Sequence, residues 1–179
     1  DDANLRVWLE RNYDITGKDK ISDALTAVLT RHSYHPIRDY LNGLQWDGVP
    51  RLDKIVIDYM GAEDSALNRA MCRKHFTAAV ARVFQPGCKY DYCLIMSGAE
   101  GIGKSTLLAI MGGSWFNDSI TTTEGKEGME QLRRAWLIEL GELSSIKRSD
   151  VEQVKAYLSK QVDIYRAAYG RRVSEHPRQ

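Results

Sequence analysis

The spacing of apolar residues over positions 1–90 is typical of helices. Apolar side chains recur there every three or four residues, and a glycine or proline lies at the boundary of several of these helical stretches. The pattern predicts a helix over residues 4–13 and a second helix that is capped by Ser22 and buries Val28 and Leu29. It predicts three further helices, over residues 36–43, 51–60 and 65–84. In the last of these, five apolar residues mark the expected inner face: Leu67, Met71, Val80, Val83 and Phe84. We therefore expect residues 1–90 to form an all-helical N-terminal module.

From Tyr92 onward, short apolar runs alternate with helical spacing. Residues 92–97 and 136–138 are apolar runs of strand length, and a short edge segment begins at Trp115. Residues 126–134 have helical spacing, and Ser149 with Glu152 forms a capping box for a further helix. This alternation predicts an α/β fold with a parallel sheet over residues 91–179.

The composition is that of an ordinary globular protein. The chain has 179 residues, of which 43% are hydrophobic and 27% charged. It contains no apolar run long enough to cross a bilayer and no secretion signal, so we expect a cytoplasmic protein. The net charge of +1 means that any attraction to nucleic acid must come from a local patch. Cys72, Cys88 and Cys93 fit no zinc pattern, and we expect reduced thiols, two of them buried.

A glycine-rich pattern follows the first predicted strand and leads into a predicted helix. Its residues, in the order G-x-x-x-x-G-K-S, are Gly98, Ala99, Glu100, Gly101, Ile102, Gly103, Lys104 and Ser105. A strand, a glycine-rich loop and a helix together are typical of a phosphate-binding loop, because backbone N–H groups and the helix dipole favour an anion. Lys104 can reach the β- and γ-phosphates, and the Ser105 hydroxyl can bind Mg²⁺. Thr106 completes the expected nucleotide-binding set, although a plain helix residue is the simpler interpretation of it. The sequence predicts a P-loop NTPase core that binds ATP with Mg²⁺.

Two glutamates follow the second predicted strand. Glu139 ends the apolar run 136–138, and Glu142 comes three residues later. Ligands of open α/β sheets lie beyond the carboxyl ends of the strands, so both acids are expected near the nucleotide. We assign Glu139 to Mg²⁺, directly or through water, and Glu142 to polarising the attacking water, with Lys104 as the third catalytic residue. The same argument allows the two glutamates to exchange roles. The alternative is that both are solvated surface acids without a catalytic role.

Five blocks of the sequence resemble a known family. They are residues 44–52 (LQWDGVPRL), residues 84–91 (FQPGCKYD), the glycine-rich loop, residues 136–142 (WLIELGE) and residues 163–171 (DIYRAAYGR). In this order they are similar to the virulence-associated protein E family, from about residue 40 onward. We expect residues 46–48 to be a structural turn with Trp46 buried.

The resemblance implies a P-loop ATPase of the AAA+ class, related to superfamily 3 helicases. Such a protein would assemble as a homo-oligomeric ring, expected to be a hexamer, and act on single-stranded DNA during replication of a phage or mobile element. It also implies that a loop or hairpin after the second strand carries DNA-binding residues at Lys155, Lys160, Tyr165, Arg166, Tyr169, Arg171 and Arg172. The positive charge of this segment agrees with DNA binding, because positions 155–179 contain six Lys or Arg against two Asp or Glu. A solvated basic end, or a salt-bridged surface between subunits, is the alternative.

Two other functions are compatible with the phosphate loop. One is a nucleotide-regulated DNA-binding or assembly module without motor activity, and the other is a P-loop small-molecule kinase. No strand that would hold a sensor residue follows the basic end, and no arginine finger is recognisable, although Arg166, Arg171 or Arg172 can serve. We therefore expect a truncated core with weak turnover in isolation.

Overall fold

The computed structural model describes residues 2–120, 125–132, 135–141, 154–166 and 173–178. The chain divides into two compact units, Asp1–Tyr40 and Leu41–Gln179. Among the described residues, no helix is both long and apolar enough to cross a membrane. The boundary expected at residue 90 stays a prediction.

The first unit consists of helices. Helix α1 spans Asp2–Tyr13 and α2 spans Lys18–Arg31. Helix α3, Pro36–Gly43, begins in this unit. Ile21 of α2 and Ile37 of α3 are buried. The prediction of Ser22 as a helix cap is wrong, because α2 begins four residues earlier, after Gly17 in a left-handed conformation with φ 110°. Val28 and Leu29, expected in the core, are 52% and 62% exposed.

Helices α4 and α5 begin the second unit and build its main core. A 3-10 turn over Leu52–Lys54 leads into α4, Ile55–Met60, which ends at the left-handed Gly61, and α5 spans Ala66–Phe84 with Ser65 as its N-cap. The buried cluster is Val56, Cys72 and Phe76, and apolar residues from the segment before the glycine-rich loop and from the helix after it pack against it: Leu94, Met96, Leu107, Leu108 and Met111.

The predicted inner face of α5 is wrong in most positions. Leu67 is 67% exposed and Phe84 is 42% exposed, whereas the buried residues are Cys72, Phe76 and Val83. Only Val83 was expected. Likewise Trp46 is 77% exposed, although its turn is well ordered by Asp47, which accepts hydrogen bonds from the backbone N–H of Val49 and from Arg51. Cys72 is buried as expected, but Cys93 is exposed and Cys88 is intermediate.

A helix–strand–helix–strand unit follows the glycine-rich loop. Helix α6 spans Lys104–Gly112, and a 3-10 turn at Gly113–Trp115 leads to strand β1, Phe116–Asn117; helix α7, Gly125–Leu132, then connects to β2, Leu137–Ile138. The strands are parallel, with Phe116 opposite Leu137. A Cβ at Gly112 would lie 2.9 Å from that of Phe116 and 3.3 Å from that of Leu137, so only glycine lets α6 end this close to both strands. The predicted α/β character with a parallel sheet is therefore present in a two-stranded form.

Residues 92–97 are not a strand in this structure, contrary to the prediction. Their side chains still alternate, since Leu94 and Met96 pack on the core while Tyr92 and Ile95 are 77% and 64% exposed. The segment thus contributes apolar side chains to the core without pairing as a strand.

An antiparallel hairpin is formed by β3, Val162–Tyr165, and β4, Ser174–Pro177. The apolar pattern did not predict these strands, whereas the family resemblance implied a loop or hairpin in this region. A buried ion pair closes it: Arg178 donates to both carboxylate oxygens of Asp163, at 2.7 and 2.8 Å, and also to the Tyr157 carbonyl. The Arg178 carbonyl accepts from Gly87 N–H at 2.7 Å, which attaches the hairpin to the turn after α5.

Candidate functional site

The glycine-rich loop turns sharply before it enters α6. Gly101 and Gly103 have φ values of 78° and 93°, a region that other residues rarely adopt, and Gly103 is the N-cap of α6. The loop from Gly98 to Ile102 is exposed. The first N–H groups of α6, at Lys104, Ser105 and Thr106, have no partner within the helix by its geometry, so they are directed toward whatever occupies the loop.

The Lys104 side chain reaches back across this loop. Its Nζ atom donates hydrogen bonds to the carbonyls of Gly98, at 3.0 Å, and Ala99, at 2.7 Å. The ammonium group is therefore held at the loop by two neutral acceptors. An incoming anion can exchange for these acceptors, since hydrogen bonds between charged partners are stronger than those to carbonyls.

Ser105 and Glu139, which are far apart in sequence, are in direct contact. The Ser105 hydroxyl donates a hydrogen bond of 2.6 Å to Glu139 Oε1. Glu139 follows β2, and its N–H donates to the carbonyl of Asn117 at 2.9 Å, which extends the parallel ladder by one residue and fixes the glutamate at the carboxyl end of the strand. Its second oxygen, Oε2, is buried and has no hydrogen-bond partner among the described residues.

This pair fits the oxygen chemistry of a divalent cation. A hydroxyl and a carboxylate side by side supply two of the hard oxygen ligands that Mg²⁺ prefers, with phosphate oxygens and water as the remainder. A buried carboxylate oxygen without a partner is costly, and a cation would satisfy it. The described residues contain no group of three or more His, Cys, Asp and Glu arranged for a metal, so any ion held here depends on few protein ligands.

A large cavity opens beside the loop. Its volume is about 790 Å³, within the range of small-molecule sites, and its lining includes Gly98, Lys104 and Glu139. Side chains that the sequence did not mark as functional line it further along, namely His75, Tyr90, Tyr92, Trp136, Tyr157 and Arg178. They lie on five separate segments with no common spacing, so the sequence holds no local signal that would have grouped them.

The other predicted site residues are distributed as follows. Lys155, Lys160 and Arg166 are exposed, whereas Tyr165 is 6% exposed and its ring lies 4.5 Å from that of His176. Glu142, Tyr169, Arg171 and Arg172 lie outside the described residues.

The structure is thus a mixed α/β domain with a two-stranded parallel sheet. At one edge of this sheet, the glycine-rich loop and the Ser105–Glu139 contact form a candidate site for an anion and a cation. The family profile described as the virulence-associated protein E-like domain matches residues 41–179. The chain belongs to this family, which confirms the resemblance drawn from its five sequence blocks and the start near residue 40. No curated protein matches the chain.

Proposed function

We propose that this chain is an ATP-binding and ATP-hydrolysing, helicase-like domain of a DNA replication protein from a phage or mobile element. Membership in the virulence-associated protein E-like family suggests the replication context. The observation that carries the nucleotide part is the 2.6 Å contact between Ser105 and Glu139. These two residues are 34 positions apart, and the sequence alone assigns both of them to one Mg²⁺ ion.

In the proposed site each residue has a separate task. The N–H groups of the loop and of the first turn of α6 bind the phosphates, and Lys104 leaves its two carbonyl partners to bind the β- and γ-phosphates. Ser105 and Glu139 hold Mg²⁺, which neutralises charge on the phosphates when bound. Glu142 remains the candidate that orients the attacking water.

DNA binding is proposed for the basic end of the chain. Exposed Lys160 and Arg166 flank β3, and the segment between β3 and β4 contains Tyr169, Arg171 and Arg172. Basic residues neutralise phosphates, and a tyrosine can stack on an unpaired base. Tyr165 is left out of this proposal because its side chain is buried. A ring of identical subunits around single-stranded DNA is the arrangement we propose for the full-length protein.

The substitution Lys104→Ala tests the nucleotide site. We expect ATP binding, measured by isothermal titration calorimetry with Mg²⁺ present, to weaken by at least about tenfold, since each 1.4 kcal/mol lost is tenfold in affinity. DNA-stimulated ATP hydrolysis by the full-length protein should fall in parallel. Lys20→Ala, an exposed lysine of α2, is the matched control. Unchanged affinity and turnover in Lys104→Ala would contradict the proposal.

Cation binding has its own test. We expect Mn²⁺ bound together with ATP, followed by electron paramagnetic resonance, to weaken in Ser105→Ala and more strongly in Glu139→Gln, because only the second removes a charge. ATP binding without a divalent ion should change little in Ser105→Ala. Equal Mn²⁺ affinity in all three proteins would remove both residues from the proposed metal site.

A nucleotide-regulated assembly module without motor activity is the alternative that the same site allows. A strand-displacement assay run beside the hydrolysis assay separates the two functions. A helicase unwinds a tailed duplex as it consumes ATP, whereas a regulatory module hydrolyses ATP without unwinding.

A further inference from the structure

The β3–β4 hairpin has polar side chains on its buried side and aliphatic side chains on its exposed side. On β3, Asp163 and Tyr165 are 3% and 6% exposed, whereas Val162 and Ile164 are 36% and 60% exposed. Val173, the residue before β4, is 64% exposed. A half-buried antiparallel strand normally has its apolar side inside, so these exposed aliphatic residues need a specific explanation.

The aliphatic residues share one face of the hairpin. In the antiparallel register, Ile164 lies opposite Glu175 and Val162 lies opposite Pro177. Residues directly opposite each other point to the same side of a sheet. Val173 comes two residues before Glu175, so the alternation of the strand places it on this side as well. We call this side, with Val162, Ile164 and Val173, the outer face of the hairpin.

A buried ion pair holds the outer face in this orientation. Arg178 donates to both carboxylate oxygens of Asp163, at 2.7 and 2.8 Å, on the inner side. Sliding β3 by one residue would exchange its two faces and would leave Arg178 buried without its partner. The pair therefore fixes the register of β3, and because Ile164 follows Asp163 directly, its side chain is kept at the surface.

Exposed cationic residues flank the outer face. Lys160 and Arg166 are exposed and lie on either side of β3. Residues 155–179 contain six basic and two acidic residues, and the Asp163–Arg178 pair accounts for one of each. The charges that remain are five basic residues and Glu175. A polyanion is complementary to this charge, and the aliphatic residues add an uncharged contact area between the cations.

A single-stranded nucleic acid combines both properties. Its phosphates are anionic, and its unpaired bases expose apolar surface that a protein side chain can cover. A duplex offers the same phosphates, but its bases are stacked and paired inside the helix. Aliphatic side chains at the surface therefore gain contacts from a single strand that a duplex does not provide.

We propose that Val162, Ile164 and Val173 form a base-contacting face for single-stranded DNA, between cationic residues that bind its phosphates. The proposal rests on the proposed function, which assigns DNA contacts to the basic residues and Tyr169 of this region. It adds an uncharged surface that distinguishes a single strand from a duplex.

Salt dependence separates the uncharged contacts from the charged ones. Fluorescence anisotropy with a labelled oligonucleotide is measured over a range of salt concentrations, for the full-length wild type and for Ile164→Ala/Val173→Ala. We expect the double variant to bind the single strand about tenfold more weakly at every salt concentration. The slope of log affinity against log salt should stay that of the wild type, because no charge is removed. Binding to a blunt duplex of the same length should not change.

Two further variants make the test specific. Val28→Ala/Leu29→Ala removes two aliphatic side chains of α2 that are 52% and 62% exposed, and this matched control should bind DNA as the wild type does. Glu175→Gln removes the acidic group opposite Ile164, so it should bind the single strand more tightly at low salt.

The opposite results overturn the proposal. Single-strand affinity that is unchanged in Ile164→Ala/Val173→Ala, or an equal loss for the duplex, would show that the outer face does not contact bases. A changed oligomeric state in analytical ultracentrifugation, with DNA affinity kept, would assign the face to a contact between subunits instead. Failure of the proposed function looks different, because the wild type would then bind neither oligonucleotide at any salt concentration.

Discussion

Ser105 and Glu139 meet because the start of helix α6 and the end of strand β2 lie at the same edge of the parallel pair. Helix α6 begins at Lys104 and β2 ends at Ile138, and the close approach at Gly112 holds the helix against both strands. At the residue scale, the sequence predicts both side chains and their roles, since each belongs to a motif. It does not predict their hydrogen bond, which depends on how the helix packs.

Tyr157 is a second residue whose environment makes a measurable difference. Its side chain is 5% exposed, its hydroxyl donates to the Gly128 carbonyl at 2.9 Å, and the Arg178 guanidinium lies over its ring at 4.5 Å. Removing the hydroxyl leaves a buried acceptor without its donor, so we expect Tyr157→Phe to lower the free energy of unfolding by about 1–2 kcal/mol. Urea denaturation at neutral pH measures this loss, and Tyr34→Phe, at an exposed position, should change it little.

The same residue predicts a dependence on alkaline pH. Burial raises the pKa of Tyr157 from 10.0 to about 12, so the folded state binds the phenolic proton more tightly than the unfolded state does. The resulting stabilisation is complete below pH 10 and is lost as the pH rises from 10 toward 12. We expect the wild type to lose stability over this interval more steeply than Tyr157→Phe. Parallel curves for the two proteins would show that Tyr157 ionises in the folded state as it does in the unfolded chain.

At the element scale, helix α5 shows where apolar periodicity misleads. Apolar residues occur around much of its circumference, so its sequence allows more than one inner face. The face that is buried is selected by its packing partners. These are α4, which precedes α5 directly, and the more distant Leu94, Met96 and helix α6. Periodicity locates the helix, and tertiary packing decides its orientation.

A pair of substitutions on α5 tests this orientation. Phe76 is 4% exposed within the core cluster, so Phe76→Ala should lower the free energy of unfolding by about 3–5 kcal/mol through lost burial and a cavity. Leu67, which the sequence pattern placed inside, is 67% exposed, so Leu67→Ala should change it by less than about 0.5 kcal/mol. Chemical denaturation of both variants is the measurement. A larger loss for Leu67→Ala than for Phe76→Ala would restore the face predicted from sequence.

The elements that the sequence predicted well are those with local signals. Pro36, Gly43, Gly61 and Ser65 mark helix ends in the structure as they do in the sequence, and the 126–134 and 136–138 predictions correspond to α7 and β2. The failures depend on distant partners. Strand pairing for residues 92–97 and the β3–β4 hairpin require knowledge of which backbone lies alongside, and no single segment contains it.

The buried Asp163–Arg178 pair was missed for the same reason. Asp163 belongs to a family block and Arg178 to the basic end of the sequence, yet they form a bidentate pair with both side chains buried. Removing one partner of such a pair leaves the other charge buried and unpaired, which typically lowers the free energy of unfolding by about 3–5 kcal/mol. The pair therefore contributes to holding the two strands of the hairpin together.

At the scale of the whole molecule, a nearly neutral chain with a basic end needs a local explanation for DNA binding. The net charge of +1 supplies no general attraction, whereas residues 155–179 carry six basic against two acidic residues. One of these charges, Arg178, is neutralised by Asp163. The proposed contacts therefore come from the remaining basic residues on either side of β3 and in the segment between the hairpin strands.

Salt dependence distinguishes DNA contact from a merely solvated basic surface. Each phosphate that a cationic side chain neutralises on a single strand steepens the fall of log affinity with log salt by about 0.7. If exposed Lys160 and Arg166 make such contacts, the double variant Lys160→Ala/Arg166→Ala of the full-length protein should bind an oligonucleotide more weakly at low salt, with a slope shallower by about 1.4. Fluorescence anisotropy from 50 to about 300 mM salt measures both quantities. Lys20→Ala should keep the wild-type slope, and an unchanged slope in the double variant would mean that these two charges face solvent or another subunit rather than DNA.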